Sequence, residues 1–555
     1  MKINEYIKRQ FKNYTSNVVI PLLEQTDLSV TSSSGVNDII SALQDACVSD
    51  YNTVQIPSGV YDFQGQDILL SKHLSLKGAG ADRTIFKNVS FEIPYGISVD
   101  GICFDNAPHV ELMTASGYKY TERTANFHTC NPDKTLEVSY SNCIFENSDY
   151  GSHICSLTTT IISDSATNCI FRNQKCSGIF HSVNSQRSRY INNVFRNMGD
   201  PTAVQGKVSG IWIGDLTNLS KVQSEDCVIS DNVFEDLWTA DDSTLTSHII
   251  NANFIACKAD TAVITNNHIK NVHGYGQDRE CLYTKVRNLT VRHNIIENGG
   301  FGEGYICCKS QPDKADSYNI IEDNIIIGDY GVGISLYGGG LIQRNTIILN
   351  KGRGGILHFG GAENGKTTTI SNNYLRIEPD YYYLNGEKAS NYSPTNLMGI
   401  YPMSNPVVIE NNTLVSQNID GIITYGIECP STQYDVIVKK NNIQLMNGAY
   451  GLSIRCNNTQ LPYNDTSIIT VEDNLLGGTD FGLYLQFRYP EAENSKHREL
   501  HVKRNIPIVS NKRFYISSNG MNDTLEYIIA DSAPIRTYTD IKNASGSTSY
   551  IYGNE

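Results

Sequence analysis

NNVF at residues 192–195 and DNVF at residues 231–234 are two copies of one phrase that recurs along most of this chain. Each copy has one or two polar residues, then an Asn, then two to four largely apolar residues. A short unit that cannot bury its own apolar face, repeated every 21 to 39 residues, is typical of a solenoid. The Asn residues that anchor the phrase are Asn142, Asn168, Asn193, Asn232, Asn267, Asn294, Asn324, Asn345, Asn373, Asn412, Asn442, Asn474 and Asn505.

Short β-rich runs such as AVIT at 262–265 and VVI at 407–409 lie between the Asn phrases, and no helical period persists through them. An Asn at one fixed position per coil tolerates the left-handed backbone at a bend. Stacked coils would place these Asn side chains about 4.8 Å apart, close enough for their amides to form a ladder. The predicted fold is therefore all-β, a single-stranded right-handed parallel β-helix. Insertions are expected between 193 and 267 and between 373 and 412.

Composition limits the classes of function. The 555 residues include 44 Lys and Arg against 58 Asp and Glu, a net charge of −14, which argues against binding nucleic acid or an anionic membrane. No run of about 18 apolar residues predicts membrane insertion, and the N-terminus lacks the apolar stretch of a signal peptide. Several of the 14 Cys take apolar slots of the repeat, so we expect reduced, buried thiols there.

The ends of the chain depart from the repeat. Residues 36–48, VNDIISALQDACV, form the best predicted helix, with Ile39, Leu43 and Cys47 on one face and Ser34 or Asn37 as its cap. Such a helix would close the open end of a solenoid. We predict an N-terminal arm and capping helix at 1–52, the β-helix at 53–510 and C-terminal strands or a cap at 511–555.

The entry to the repeat resembles a known superfamily. TVQIPSGVYDF at 53–63 followed by LSLKGAGA at 74–81 is similar to the N-terminal entry of the pectate-lyase-like right-handed β-helix superfamily, as in phage tailspikes and depolymerases. This resemblance implies a homotrimer on a virion tail or another extracellular location, acting on a bacterial surface polysaccharide. It is more specific for fold than for chemistry.

The Asn phrase also serves as a ruler for coil register. Lys258 and Lys285 each lie nine residues before a ladder Asn, and Lys309 follows in the next coil. The three lysines are therefore predicted to stack on one wall. Like charges about 5 Å apart oppose each other's protonation, so at least one pKa should be lowered. A lysine with a lowered pKa can act as a general base.

A second set of polar residues precedes these lysines. Asp278 and Glu280 lie seven and five residues before Lys285, and Asn251 and Asn253 lie at the same offsets before Lys258. Two carboxylates and an amide suit Ca²⁺, which takes six to eight oxygen ligands. Calcium is thus the candidate cofactor.

Asp278-x-Glu280-x₄-Lys285, with Lys309 one coil later, resembles polysaccharide lyase family 6, which contains chondroitinase B and alginate lyases. The resemblance spans about 60 residues, has Asp as its first acid, and has Lys309 where the family has Arg. It implies β-elimination on an acidic polysaccharide. Asp278, Glu280 and Asn251 or Asn253 would hold Ca²⁺, Lys285 would be the base, and Lys309 would assist the leaving oxygen.

Two other functions stay open. A glycoside hydrolase on the same fold would need two carboxylates that flank one bond, and a non-catalytic spike would bind glycan without turnover. In every case aromatic and polar residues of the candidate groove would contact substrate. The hydrolase candidates are Asp278, Glu280, Glu303, Asp241 and Asp242, and the substrate-binding candidates are Tyr275, Tyr283, Tyr305, Tyr337, His358 and Glu303.

Overall fold

The computed structural model confirms the predicted fold. Each coil consists of short strands that pair in parallel with those of the next coil. The structure describes residues 27–29, 35–113, 119–201, 206–216, 221–238, 250–273, 280–299, 304–309, 317–359, 366–379, 383–384, 387–388, 397–403, 406–417, 424–429, 435–445, 450–456, 466–477, 481–488, 497–508, 512–519 and 526–530.

One helix and 45 strands make up the described chain. The helix is α1, Val36–Val48. The first strands are β1 Asp27–Ser29, β2 Thr53–Gln55, β3 Gly59–Leu69, β4 Leu74–Lys77, β5 Thr84–Glu92, β6 Gly96–Asp100, β7 Cys103–Asp105, β8 His109–Met113, β9 Lys119–Thr129, β10 Glu137–Ser141, β11 Ile144–Glu146, β12 Tyr150–Thr167, β13 Ile170–Arg172, β14 Ser177–Ile191, β15 Val194–Gly199, β16 Gly206–Ile213, β17 Ser224–Ser230, β18 Val233–Trp238, β19 Ile250–Thr265, β20 His268–His273, β21 Leu282–Arg292 and β22 Ile295–Glu297. The remainder are β23 Ile306–Lys309, β24 Tyr318–Glu322, β25 Ile325–Tyr337, β26 Gly340–Gln343, β27 Thr346–Phe359, β28 Thr368–Ser371, β29 Tyr374–Pro379, β30 Tyr383–Leu384, β31 Glu387–Lys388, β32 Leu397–Pro402, β33 Val407–Glu410, β34 Thr413–Ser416, β35 Thr424–Cys429, β36 Val436–Lys439, β37 Asn442–Leu445, β38 Tyr450–Cys456, β39 Thr466–Glu472, β40 Leu475–Gly477, β41 Phe481–Arg488, β42 His497–Lys503, β43 Ile506–Ile508, β44 Lys512–Asn519 and β45 Glu526–Ala530.

A continuous ladder of buried Asn side chains runs from Asn193 to Asn505. In each step the side-chain amide donates to the Oδ1 of the next Asn at 2.9–3.0 Å, and the same oxygen also accepts the backbone N–H of the first Asn. The ladder thereby satisfies the buried backbone groups of the turn. Its members are Asn193, Asn232, Asn267, Asn294, Asn324, Asn345, Asn373, Asn412, Asn441, Asn474 and Asn505.

Three predicted ladder positions were wrong by one residue. Asn142 and Asn168 lie in the column that precedes the ladder, where the backbone has positive φ, and Cys143 and Cys169 take the buried ladder slot. At the later coil Asn441, not Asn442, bonds to its neighbours. That preceding column has left-handed backbone throughout and also accepts Asp, His, Lys and Arg: Asn142, Asn168, Asn192, Asp231, Asn266, His293, Asp323, Arg344, Asn372, Asn411, Lys440, Asp473 and Arg504.

Two residues after the ladder slot, apolar side chains stack inside the coil. The rings of Phe145, Phe171, Phe195 and Phe234 lie parallel with centroids 4.7–4.8 Å apart, and aliphatic residues continue the column from Ile269 onward. Glycine makes room for the rings, because a Cβ at Gly178 would lie 2.8 Å from the ring of Phe195. These stacked layers form the core of the solenoid.

The N-terminal end is closed as predicted. Helix α1 covers the first coil, and its side chains Ile39, Leu43 and Ala46 are buried in the same cluster as the solenoid core. The residue that caps the helix is Gly35, whose N–H donates to the side chain of Asp38 at 2.8 Å. Asn37 lies within the helix, and Ser34 lies outside the described residues. Nothing tests the predicted domain boundaries, which stay predictions.

The expectations from composition that concern structure are those about the cysteines and about membrane-spanning segments. The thirteen cysteines whose thiols the structure describes form no disulfide, and most are buried, including Cys257, Cys281 and Cys307. No helix within the described ranges is long and apolar enough to cross a bilayer.

Replacing a ladder residue should destabilise the coil. In Asn324→Ala the buried backbone N–H of Asn294 loses its acceptor and its side-chain amide loses one of three, so we expect a loss of about 2–4 kcal/mol in unfolding free energy. The matched control is Asn350→Ala, because Asn350 is exposed and bonds Asp329 at the surface. Chemical denaturation followed by circular dichroism measures both. Equal midpoints for the two variants would contradict the ladder's role.

Candidate functional site

The three predicted lysines stack on one wall of the solenoid, as the Asn ruler indicated. Strand pairing places Lys258 beside Lys285 and Lys285 beside Lys309, in consecutive coils about 4.8 Å apart. The wall that carries them, called here the lysine wall, comprises 177–183, 206–213, 250–258, 282–285, 306–309, 332–337, 354–358, 397–402, 424–429, 450–456 and 481–487.

Alternation along each strand shows which side chains face outward. Ile255 and Leu282 belong to the solenoid core, whereas Phe180, Trp212 and Ala256 form a second cluster outside it, against whose edge Tyr283 packs. The lysines lie two residues after the column of Tyr283, so they share its outward face. This outward face is the candidate site.

A carboxylate and an amide lie on the same face. Glu280 and Asn253 occupy adjacent coils, and Asn253 Nδ2 donates to the Glu280 carboxylate and to the Glu280 carbonyl, each at 3.0 Å. Both side chains are only 2% exposed. This hydrogen bond fixes the orientation of the carboxylate, which is what a group that acts on substrate requires.

Lys285 is held by a segment from two coils upstream. Its Nζ donates to the carbonyl of Leu216, and the neighbouring Asp215 is itself largely buried. Burial lowers the pKa of Lys285 below 10.5, the nearby Lys258 and Lys309 lower it further, and Asp215 opposes the shift. The lysine register predicts a lowered lysine pKa but does not predict Asp215, because a loop rather than coil register brings that residue to the site. Gly214, with φ of +72°, makes the turn into that loop.

Aromatic rings border the lysine column. Tyr283 lies with its ring centroid 5.8 Å from Lys285 Nζ, and Tyr337 lies 4.1 Å from Lys309 Nζ. Tyr337 in turn stacks on Phe359 at 4.7 Å. These rings are partly exposed, and partly exposed aromatic faces beside cations suit a ligand that has both flat apolar faces and negative charge.

Two predicted substrate contacts, Tyr305 and His358, do not lie on the outward face. Tyr305 is fully buried within the solenoid core, because its position in the coil faces inward. His358 is also fully buried, and its Nε2 contacts the Gly338 carbonyl at 2.9 Å and the Thr368 hydroxyl at 3.1 Å. Burial lowers the pKa of His358 to about 4, so the ring is neutral and structural.

Several predicted site residues lie outside the described residues: Asp241, Asp242, Tyr275, Asp278 and Glu303, together with the side chain of Asn251. Within the described residues, no group of three or more His, Cys, Asp and Glu could hold a metal ion. Of the predicted calcium ligands only Glu280 and Asn253 are described, and the Asn253 amide nitrogen rather than its oxygen faces Glu280. These two residues alone do not make a calcium site, and calcium stays a prediction.

A buried Ser–His–Asp chain lies inside the solenoid instead of on its surface. His181 Nε2 lies 2.8 Å from the Ser152 hydroxyl and its Nδ1 lies 2.8 Å from Asp164 Oδ2, while Tyr190 donates to the same carboxylate. The distances match those of a hydrolytic triad. These side chains point into the solenoid, since Tyr190 belongs to the core cluster and His181 alternates with the core residues Ile179 and Val183, so the chain is a structural network.

Comparisons with known proteins extend to the fold only. No family model and no curated protein matches the chain. One matching solved structure is a GH87 α-1,3-glucanase catalytic domain in complex with tetrasaccharides, at 11% identity and a TM-score of 0.33, covering 90% of this chain and 71% of that one. A second is the catalytic unit of a thermostable GH87 α-1,3-glucanase from Streptomyces thermodiastaticus strain HF3-3, at 9% identity and a TM-score of 0.23, with 94% and 69% covered. A third is a mannuronan C-5 epimerase A-module from Azotobacter vinelandii, at 13% identity and a TM-score of 0.19, with 89% and 96% covered.

These comparisons correct the prediction of a polysaccharide lyase. The matching glucanases are glycoside hydrolases by name and not lyases, and elimination is withdrawn as the predicted reaction. The identities and TM-scores are too low to transfer an activity or a substrate. Any function must therefore be argued from the lysine wall itself.

Proposed function

We propose that the protein binds an acidic polysaccharide along the outward face of the lysine wall and hydrolyses it. The observation that carries this proposal is the register of Lys258, Lys285 and Lys309 in three consecutive coils. The chain as a whole has a net charge of −14, so this local run of cations opposes the overall sign.

The electrostatics favour an anionic polymer. Three ammonium groups at the spacing of the coils repel one another, and Lys258 and Lys285 are no more than 8% exposed. Carboxylate or sulfate groups of a polysaccharide would offset both the repulsion and the lost hydration. The partly exposed rings of Tyr283 and Tyr337 would pack on the sugar faces between those charges.

Glu280 is the carboxylate best placed to act on that polymer. It lies on the same face and in the same coil as Lys285, and Asn253 fixes its orientation. Hydrolysis of a glycosidic bond uses two carboxyl groups, one acting as acid and the other as nucleophile or base. Glu280 would be one of them, and Asp278 and Glu303 are the first candidates for its partner.

Product analysis tests the reaction. The protein is incubated with alginate, hyaluronan, chondroitin sulfate and uronate-containing bacterial capsular polysaccharides, with dextran as the neutral control. Hydrolysis adds one water per cleaved bond, so new reducing ends and saturated products of the corresponding mass are expected. Products that carry a double bond would contradict hydrolysis. Binding with unchanged polymer length would instead identify a non-catalytic glycan-binding protein.

As the pH rises, binding of an acidic polysaccharide should weaken at a lower pH than it would if the lysines had their ordinary pKa. Because the pKa of Lys285 is lowered, this residue loses its charge below pH 10.5, and affinity for an acidic polysaccharide should fall through that range. Because the pKa of Lys285 is lowered in the folded state, folding is less favourable while Lys285 is charged. The free energy of unfolding should therefore rise with pH between the folded-state pKa of Lys285 and its ordinary pKa of 10.5. In Lys285→Arg, which stays charged, the fall in affinity should move to higher pH. Superimposable binding curves for the two proteins would contradict this role of Lys285.

The finer predictions of a homotrimeric tailspike on a virion rest on the N-terminal resemblance at 53–63 and 74–81. They are compatible with a polysaccharide-binding β-helix. Sedimentation equilibrium of the full chain tests the trimer directly.

A further inference from the structure

A second group of outward-facing residues lies farther along the lysine wall. Glu428 lies between Ile427 and Cys429, both in the core, so its side chain points to the outward face. Strand pairing sets Glu428 beside Ser453, and Ser453 beside Tyr484. Pairing of Ile400 with Ile427 sets Tyr401 on the other side of Glu428.

Tyrosine rings surround this carboxylate. Tyr425 and Tyr450, three residues before Glu428 and Ser453, stack with centroids 4.7 Å apart and planes within 4°. Tyr484 meets Tyr450 edge to face at 5.1 Å. Tyr450 and Tyr484 are partly exposed, whereas Glu428 is 2% exposed and Ser453 is buried, with a hydroxyl that hydrogen-bonds to none of the described residues. The group is therefore an aromatic surface above a buried carboxylate and hydroxyl.

This group lies in the same two outward columns as the lysine site. The column of Tyr283 continues through Cys307, Ser335, Leu357 and Tyr401 to Glu428. Glu428 therefore lies five coils, or about 24 Å, from Tyr283 along the solenoid. The order of the carboxylate and the aromatic residue along the strand is reversed between the lysine site and this second group. Glu280 precedes Tyr283 by three residues, whereas Tyr425 precedes Glu428 by three.

The opposite end of the lysine wall is covered by the protein itself. Val110 and Leu112, in the antiparallel hairpin of β8 and β9, belong to the same apolar cluster as Phe180 and Trp212, on the N-terminal side of Lys258. We therefore expect a polymer held at the lysines to extend toward the C-terminal coils, where Glu428 lies.

We propose that Tyr450, Tyr484 and Glu428 form a second subsite that binds an uncharged sugar unit of the same polymer. The rings would pack on a pyranose face, and Glu428 would accept hydrogen bonds from its hydroxyl groups. A carboxylate repels a uronate, so this subsite selects a neutral sugar, whereas the lysines select an acidic one. The substrate is then a heteropolysaccharide that contains both acidic and neutral sugars. This inference rests on the proposed function.

Length dependence of binding tests the subsite. Glu280→Gln protein, chosen so that the polymer stays intact, is titrated with size-fractionated fragments of whichever panel polysaccharide binds best. Fragments long enough to reach from Lys285 to Glu428 should bind more tightly than short ones. In Tyr450→Ala and in the isosteric Glu428→Gln, the ratio of long-fragment to short-fragment affinity should fall about tenfold. Tyr374→Ala, an exposed tyrosine on another wall, is the matched control and should keep the ratio.

The outcomes separate the two proposals. If no acidic polysaccharide of the panel binds, the proposed function fails and the subsite fails with it. If polysaccharide binds but both Tyr450→Ala and Glu428→Gln keep the parent's ratio, the subsite alone is overturned. A thermal melt of each variant identifies loss of fold, and Glu428→Gln, which preserves shape, decides the question if Tyr450→Ala unfolds. Equally tight binding of a uniformly charged polymer such as alginate through Glu428 would overturn the selection for a neutral sugar.

Discussion

Glu280→Gln is expected to lower the rate of polysaccharide hydrolysis by about 10³-fold, because an amide can neither donate a proton as an acid nor act as a base. The fold should be unchanged. Glutamine keeps the shape of the side chain and an oxygen that accepts the hydrogen bond from Asn253, now 3.0 Å from the carboxylate. Initial rates of reducing-end release, together with a thermal melt, measure both effects.

The matched control lies in the same coil on a different wall. The Glu297 carboxylate lies 2.8 Å from His268 Nε2 and is partly exposed. Glu297→Gln therefore removes a carboxylate without changing the lysine wall. It should leave the rate within about twofold, because Glu297 lies off the lysine wall, and the fold should persist because exposed ion pairs contribute little to stability. Equal rates for the parent and Glu280→Gln would remove Glu280 from the reaction.

Phe171→Ala is expected to cost the largest amount of stability, about 3–5 kcal/mol. The ring is fully buried between those of Phe145 and Phe195, at 4.7 and 4.8 Å, with planes within 5° of each other. Glycine lines the space beside it, since a Cβ at Gly151 would lie 2.9 Å from the ring, so few side chains can collapse into the cavity.

Denaturation midpoints of Phe171→Ala and of Leu157→Ala measure this difference. Leu157 is 51% exposed, and its replacement should change stability by no more than about 0.5 kcal/mol. A solenoid need not unfold in one step, so hydrogen exchange of the neighbouring coils should accompany the midpoint. Similar midpoints for the two variants would show that the ring stack is not a main source of stability.

Much of the fold follows from the sequence because one repeat dictates one coil. The ladder Asn set the register that places Lys258, Lys285 and Lys309 together, and strand pairing confirms it. The register failed by one at Asn142, Asn168 and Asn442. Asn is favoured both in the ladder slot and in the left-handed position beside it, so sequence alone does not separate the two columns.

The site was less predictable for two physical reasons. The direction of a side chain depends on parity along the strand, and counting residues from the ladder did not show that Tyr305 and His358 face inward. Coil register does not predict where loop residues lie, so it gives no indication that Asp215 is near Lys285. Glu428, in contrast, could have been found by extending the outward column of Tyr283 through successive coils.

The central claim is that the lysine column binds an acidic polysaccharide. The most direct measurement is the affinity of Glu280→Gln for that polymer, compared with the same protein carrying Lys258→Gln and Lys285→Gln, each titrated at low and high salt. The account predicts that removing two cations weakens binding about 100-fold at low salt and flattens the salt dependence, because each charge–charge contact contributes on the order of 1–2 kcal/mol at a partly buried surface. Unchanged affinity and unchanged salt dependence in a folded variant would contradict it.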